Sequence, residues 1–300
     1  MAYKKKPKRI TGLTVLWFVL RLAYRQPCIM LTLIALGAGA YTYELKIARP
    51  ALLYQGEPKA SNAKNPDTWF RTLRNHGFIL GYSDLRGNPL WVEYALSPIP
   101  SNTPALPRPS HFTADWRSLN PISHESYQNS GYDRGHLAPN FAISHLYGKQ
   151  GQQDSFLMTN ISPQKPKLNQ RVWQRLEEVE ATYFAKNLSK VWVLTGPVFK
   201  GKTERLSSAW TVEIPDAFYK IYLTEATTKH KAIALAFLIP QTVKGNEPLD
   251  QFVTRIDTLE AETGLDFFAD LDDTTEAALE SSLQPQAWGL QAVSKLPPRY

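Results

Sequence analysis

The sequence predicts an α+β domain built on a mostly antiparallel central sheet flanked by helices, with one transmembrane helix ahead of it. Three observations predict this class. Short apolar runs rich in β-branched and aromatic residues recur between turn signals from residue 77 onward. A single long stretch, 168–187, carries apolar residues at helical spacing. Near the N-terminus an apolar segment follows a basic cluster.

After Lys4–Arg9, residues 26–43 run without a charge, long enough to cross a hydrocarbon core of about 30 Å as a helix. Cations before it put residues 1–25 in the cytoplasm as a basic leader and the rest outside, a membrane-anchored extracytoplasmic domain. Two forms fit: an uncleaved signal anchor, or a signal peptide cut after Ala38-Gly39-Ala40 and a secreted product. Residues 1–50 hold nine Lys/Arg against Glu44 alone, so the formal charge of +7 resides there and the remainder is close to neutral. Global charge is therefore no argument for nucleic-acid binding by the folded part. Cys28 is the one cysteine, which excludes an intramolecular disulfide.

Residues 44–66 mix Pro, Ala and Lys without periodicity and read as a linker; the folded domain is expected over 67–272. "GFILGYSDLRGNPLWVEYALS" places two apolar runs around Asp84–Asn88, a hairpin signal. Residues 97–115, with five prolines, read as an irregular loop. "DSFLMTNISPQ" reads as a short strand ending near Asn160. In 168–187, Val172, Leu176, Val179 and Tyr183 make the stripe of a core-facing helix. "KVWVLTGPVF", "WTVEIPDAFYKIYLT" and "KAIALAFLIPQ" read as three strands, and "PLDQFVTRIDTLEAETG" as a helix stopped at Gly264. Residues 273–300 are weakly patterned and read as a tail.

Two segments concentrate chemistry. "YDRGHLAPN", 132–140, crowds an acid, a guanidinium and an imidazole into one loop-like string. About thirty residues on, Asn169, Trp173 and Glu177 stand at i, i+4 and i+8 and share one side of the long helix. The bridge before them supplies Asn160, Gln164, Lys165 and Lys167. Phosphodiester hydrolysis needs an activated water, counter-charge for the phosphorane and a stabilised leaving oxygen. A neutral imidazole at His136 suits the first need, and an arginine fork at Arg134 suits the second. His76, His111, His124, His145 and His230 lack ligand-like partners at useful spacing.

Together, "DRGHLAP" and "TNISPQKPKLNQRVWQRLE" resemble the DNA/RNA non-specific endonuclease family, the ββα-metal or His-Me finger enzymes, over roughly 75–270. The resemblance implies His136 as general base, Asn169 as direct ligand of one Mg²⁺ (Mn²⁺ as a substitute), and Glu177 as an acid holding water of the metal's shell. It implies Arg134 at the phosphate, Asn160 in support of the site, and Arg108 as the positional match for a further arginine. Lys165 and Lys167, with Arg171 and Arg175, are expected to form a basic strip for substrate. Asp133 is expected to be structural. DNA and RNA are the implied substrates, cut with little sequence preference to leave 5′-phosphates. A membrane-anchored nucleic-acid-binding or uptake component without catalysis is the competing reading; nothing in the sequence sets an oligomeric state. "NFAISH" after "DRGHLAP" departs from the family's usual small or acidic residues.

Overall fold

A computed structural model describes residues 12–201, 204–226 and 231–298. The cluster Lys4–Arg9 and His230 lie outside the described residues. The chain divides into two compact units, Met1–Ala51 and Leu52–Tyr300. In the first, a helix over Gly12–Arg25 is followed by a second over Pro27–Tyr43, with Pro27 in its first turn. Pro at that position forfeits only an N–H that has no helical partner, so a helix can start there. Helical turns continue beyond Tyr43, and the stretch Pro27–Leu52 is long and apolar enough to cross a membrane by length and composition, with no part of its apolar window buried.

The second unit is organised by a seven-stranded antiparallel sheet. Its order across the sheet is Val253–Thr254, Ala234–Pro240, Ala217–Leu223, Val191–Val198, Asn88–Leu96, Phe78–Ser83 and Arg71–Arg74. Side chains alternate between two cores. Phe78, Leu80, Val193, Phe218 and Tyr222 face one, with Leu168, Val172, Leu176, Val179 and Phe184 of the long helix. Ile79, Trp192, Leu194, Tyr219 and Ile221 face the other, with Ile256, Leu259, Phe267 and Leu279. Because both faces are covered, these strands read as nearly continuous apolar runs rather than alternating ones.

Several boundaries differ from the sequence reading. The expected linker 44–66 includes Tyr54, buried on the second core, and Lys59–Ala60, paired with Leu265–Asp266. The expected strand 210–224 is two: Ala209–Glu213 joins a separate small hairpin, and after Pro215 the chain re-enters the main sheet at Ala217. The helix expected over 248–264 is confined to Ile256–Thr263, with Gly264 at φ 68° as its left-handed stop. In the expected tail, a helix spans Asp273–Glu280, and Trp288, Leu290 and Val293 complete the first core.

Beneath the long helix lies a fully buried ion pair, Lys220 Nζ to Glu180 Oε2 at 2.8 Å. Tyr94 and Tyr222 also donate to Glu180, at 2.7 and 2.8 Å, and the ammonium sits 4.7 Å from the Trp173 ring centroid. Removing one partner strands the other charge in the core. Lys220→Ala is expected to destabilise the domain by about 3–5 kcal/mol, measured as a lowered urea midpoint.

Candidate active site

The strand Asp133–His136 pairs antiparallel with Ile161–Gln164, setting His136 opposite Ile161 and Gly135 opposite Ser162. Gly135 is required by space: a Cβ there would stand 2.2 Å from the Gln164 side-chain oxygen. Asn160, fully buried, holds the turn after His136. Its Oδ1 accepts from the Ala138 N–H at 2.9 Å, and its Nδ2 donates to the carbonyls of Ala138 and Ser155 at 3.0 and 2.9 Å. The helix follows at once, opening with a wide π turn over Leu168–Trp173. Over eight α-helical residues a face drifts by roughly 80°; the wider turn takes back much of that drift and keeps Asn169, Trp173 and Glu177 together. Trp173 ties helix to strand, its indole N–H donating to the His136 carbonyl at 3.3 Å.

The strand Asp133–His136, the start of the helix Asn140–Ser155, the long helix and the loop carrying Arg108 line a cavity of about 430 Å³. Arg108, Arg134, His136, Asn169 and Glu177 all line it. The His136 ring packs against the pair Phe112 and Phe156, at centroid distances of 5.1 and 4.9 Å, the two phenylalanine rings themselves being 4.8 Å apart. Its Nε2 is buried without a hydrogen-bond partner. Burial beside those apolar rings, and then the charge of Arg108, pull its pKa down to about 3, so the ring is neutral at working pH.

Arg134 gives its Nε and Nη2 to the His124 carbonyl at 2.9 and 2.6 Å, which fixes one edge of the fork and turns the other toward the cavity. Glu177 is pushed up to about 8, chiefly by burial; Lys220 and Arg108 oppose the rise and Glu180 adds to it. Asp133 Oδ2 accepts from Asn169 Nδ2 at 2.9 Å and from Gln170 at 2.8 Å. That bond consumes the amide's N–H side and leaves Asn169 Oδ1 as its donor atom for a cation. A neutral oxygen from Asn169 beside a carboxylate suits a hard ion such as Mg²⁺, which takes few protein oxygens and keeps its own waters. Asp133→Ala frees the Asn169 amide to rotate and is expected to weaken Mg²⁺ binding at the cavity by about 10–100-fold, measured as the Kd in a calorimetric titration.

Other expected residues stand elsewhere. Asn160 has no face on the cavity; it is a positioning residue rather than one that meets the reacting atoms. Lys165 and Lys167 are exposed and do not line the cavity. Arg175 leaves the expected basic strip altogether: it is buried and donates to the carbonyls of Leu296 and Glu247, because its side of the helix faces the C-terminal segment. Gln170, Gln174, Glu178 and Thr182 also line the cavity; the sequence reading missed them, although their spacing of four runs parallel to the row Asn169, Trp173, Glu177. Phe112 and Phe156 carried no such signal, since their approach to His136 depends on the path of the Pro-rich loop.

Fold and site together define a hydrolytic nuclease. The chain belongs to the DNA/RNA non-specific endonuclease family, whose pattern matches residues 58–274. It is 28% identical to mitochondrial endonuclease G of Homo sapiens over 201 residues, 63% of this chain and 67% of the human protein. Identity to the nuclease of Serratia marcescens is 30% over 224 residues, 70% of this chain and 79% of that protein. The fold is that of a solved EndoG/EndoGI complex, with a TM-score of 0.58 and 24% identity over 68% of this chain and 88% of that one.

Proposed function

We propose that the chain is a Mg²⁺-dependent endonuclease of low sequence preference that cuts DNA and RNA, with His136 as general base. The observation that carries this reading is the convergence of His136, Arg108, Arg134, Asn169 and Glu177 on one cavity from three separate segments. Asn169 Oδ1 would hold the ion, with Glu177 beside it, and Mn²⁺ could replace Mg²⁺. Bound there, the ion supplies positive charge to the scissile phosphate and the leaving oxygen.

The chain's own groups do the rest. Nε2 of His136 is enclosed, so Nδ1 is the nitrogen assigned to take the proton of the attacking water. Substrate binding favours that step, because the incoming phosphate offsets Arg108 and lifts the imidazole from its depressed value. The outer edge of Arg134 and the exposed side chain of Arg108 bind phosphate oxygens. Contacts of this kind address the sugar-phosphate backbone and read no bases, which accounts for low sequence preference and for use of both nucleic acids.

Residues 26–43 are assigned as a membrane anchor that holds the nuclease outside the cytoplasm; the helical stretch Pro27–Leu52 has a mean hydropathy of 1.4 in its apolar window. An unspecific nuclease so placed is kept from the cell's own genome. The test of the activity is incubation of circular plasmid with the protein in Mg²⁺ or in EDTA. Nicking in Mg²⁺ only, and its loss in Asn169→Ala, supports the reading. A folded protein that leaves circles intact with Mg²⁺ and with Mn²⁺ overturns it.

A further inference from the structure

We infer that Asp257, Glu260 and Glu280 form a second divalent-cation site, suited to Ca²⁺, that fastens the C-terminal helix Asp273–Glu280 to the helix Ile256–Thr263. The ligand oxygens of the three carboxylates lie within 4.8 Å of one another. That falls inside the roughly 5 Å that two oxygens on opposite sides of a Ca²⁺ ion can span at 2.3–2.6 Å each.

Proximity of acids alone would carry little; the burial of Glu280 carries more. It is only 7% exposed, yet its Oε1 has no hydrogen-bond partner. Among the described residues no lysine or arginine forms an ion pair with any of the three. One turn earlier on the same helix face, Glu276 also has a buried carboxylate oxygen, Oε1, without a partner. Enclosing an unpaired carboxylate beside two others is costly unless a cation or a proton intervenes.

The neighbouring geometry is built for an ion. Glu260 Oε1 accepts the Phe267 N–H at 2.7 Å, which fixes that carboxylate; its side chain also meets that of Glu280 in a hydrogen bond whose shared proton a bound ion would displace. Asp257 is exposed, so water can complete the shell from its side. Several anionic protein oxygens around one centre favour Ca²⁺ over Mg²⁺, which binds through fewer protein groups. The family match ends at residue 274, so Glu280 comes from beyond it. The site would therefore make closure of the second core, through Leu259 and Leu279, depend on calcium.

The test uses the full chain in detergent, stripped with EDTA, and follows the thermal midpoint with Ca²⁺ or Mg²⁺ added alone. Ca²⁺ at about 10 mM is expected to raise Tm by about 5 °C, and Mg²⁺ by less. The rise should persist in Asn169→Ala and vanish in Glu280→Gln and in Asp257→Asn, the latter at an exposed position where folding is not at stake. A rise that survives Asp257→Asn, or that disappears in Asn169→Ala, overturns the proposal, because the ion then sits elsewhere. No rise in the wild type, with Glu280→Gln more stable than wild type in EDTA, also overturns it and leaves a shared proton between the acids. Loss of plasmid cleavage in Asn169→Ala is a separate readout, so the nuclease reading stands or falls independently.

Discussion

His136→Ala is expected to lower plasmid cleavage by about 10³–10⁴-fold while leaving a folded protein. Among the described residues that line the cavity, the imidazole is a neutral group with a basic nitrogen, ready to accept a proton once bound phosphate offsets Arg108, whereas Glu177 is pushed up to about 8 and a guanidinium offers no acceptor. The same substitution should change the pH dependence of stability. In the folded state His136 titrates near 3, against an ordinary value of 6.5. Between those values the unfolded chain binds more protons, so the wild type loses stability as pH falls, by up to about 1.4 kcal/mol per pH unit from this one group. The variant lacks that loss. Near pH 7 it should be less stable, because the space the imidazole fills beside Phe112 and Phe156 is left empty; toward pH 4 the gap should narrow or reverse. Urea midpoints at pH 4, 5.5 and 7 measure this. A variant with more than a tenth of wild-type activity would remove His136 from the base role.

Much of this site is local in sequence, which is why it was legible. His136 and Asn169 come from two segments about thirty residues apart, and the spacing of four pointed to one side of the helix for Asn169, Trp173 and Glu177, which the π turn then keeps together. The three strands from residue 191 onward were legible for a similar reason, each being an apolar run with turn residues at its ends. What escaped depended on contacts that close late along the chain. Asn140–Ser155 is helical although its apolar residues form no stripe, since Gly148 at φ 70° kinks it and its buried positions include Ser144, Gly151, Gln152 and Ser155 beside Ala142 and Ile143. Tyr54, Trp288 and Leu290 look like linker and tail by composition, yet each fills a hole in a core formed by strands more than twenty residues away. Arg175 reads as one more exposed helix cation until the C-terminal segment covers it. Asp133 was expected to serve structure alone. The hydrogen bond it accepts from Asn169 fixes the orientation of that amide, and only the packing of the strand against the helix reveals that.

Glu177→Gln is expected to reduce cleavage by about 10³-fold and, in the absence of metal, to stabilise the protein. The two effects share one cause. Glu177 titrates near 8 in the folded state against an ordinary 4.5, because burial beside Glu180 outweighs the help of Lys220 and Arg108. Between pH 4.5 and 8 the folded state binds more protons than the unfolded one, so stability is fully present below 4.5 and is lost as pH rises through 8. Glutamine removes that loss. Allowing for the partial exposure of the group, the gain should be about 2 kcal/mol at pH 8 and close to zero at pH 4. A bound cation supplies the charge that the carboxylate lacks, so Mg²⁺ should stabilise the wild type more than the variant and shrink the difference between them. Thermal midpoints at pH 4 and 8, each with EDTA or with Mg²⁺, separate these effects. Were the variant no more stable than wild type at pH 8 in EDTA, Glu177 would already be ionised without help, and its place beside the ion would lose its electrostatic reason. If the gain appears and Mg²⁺ erases it, the acid is a group kept at a cost to stability because the cation needs it.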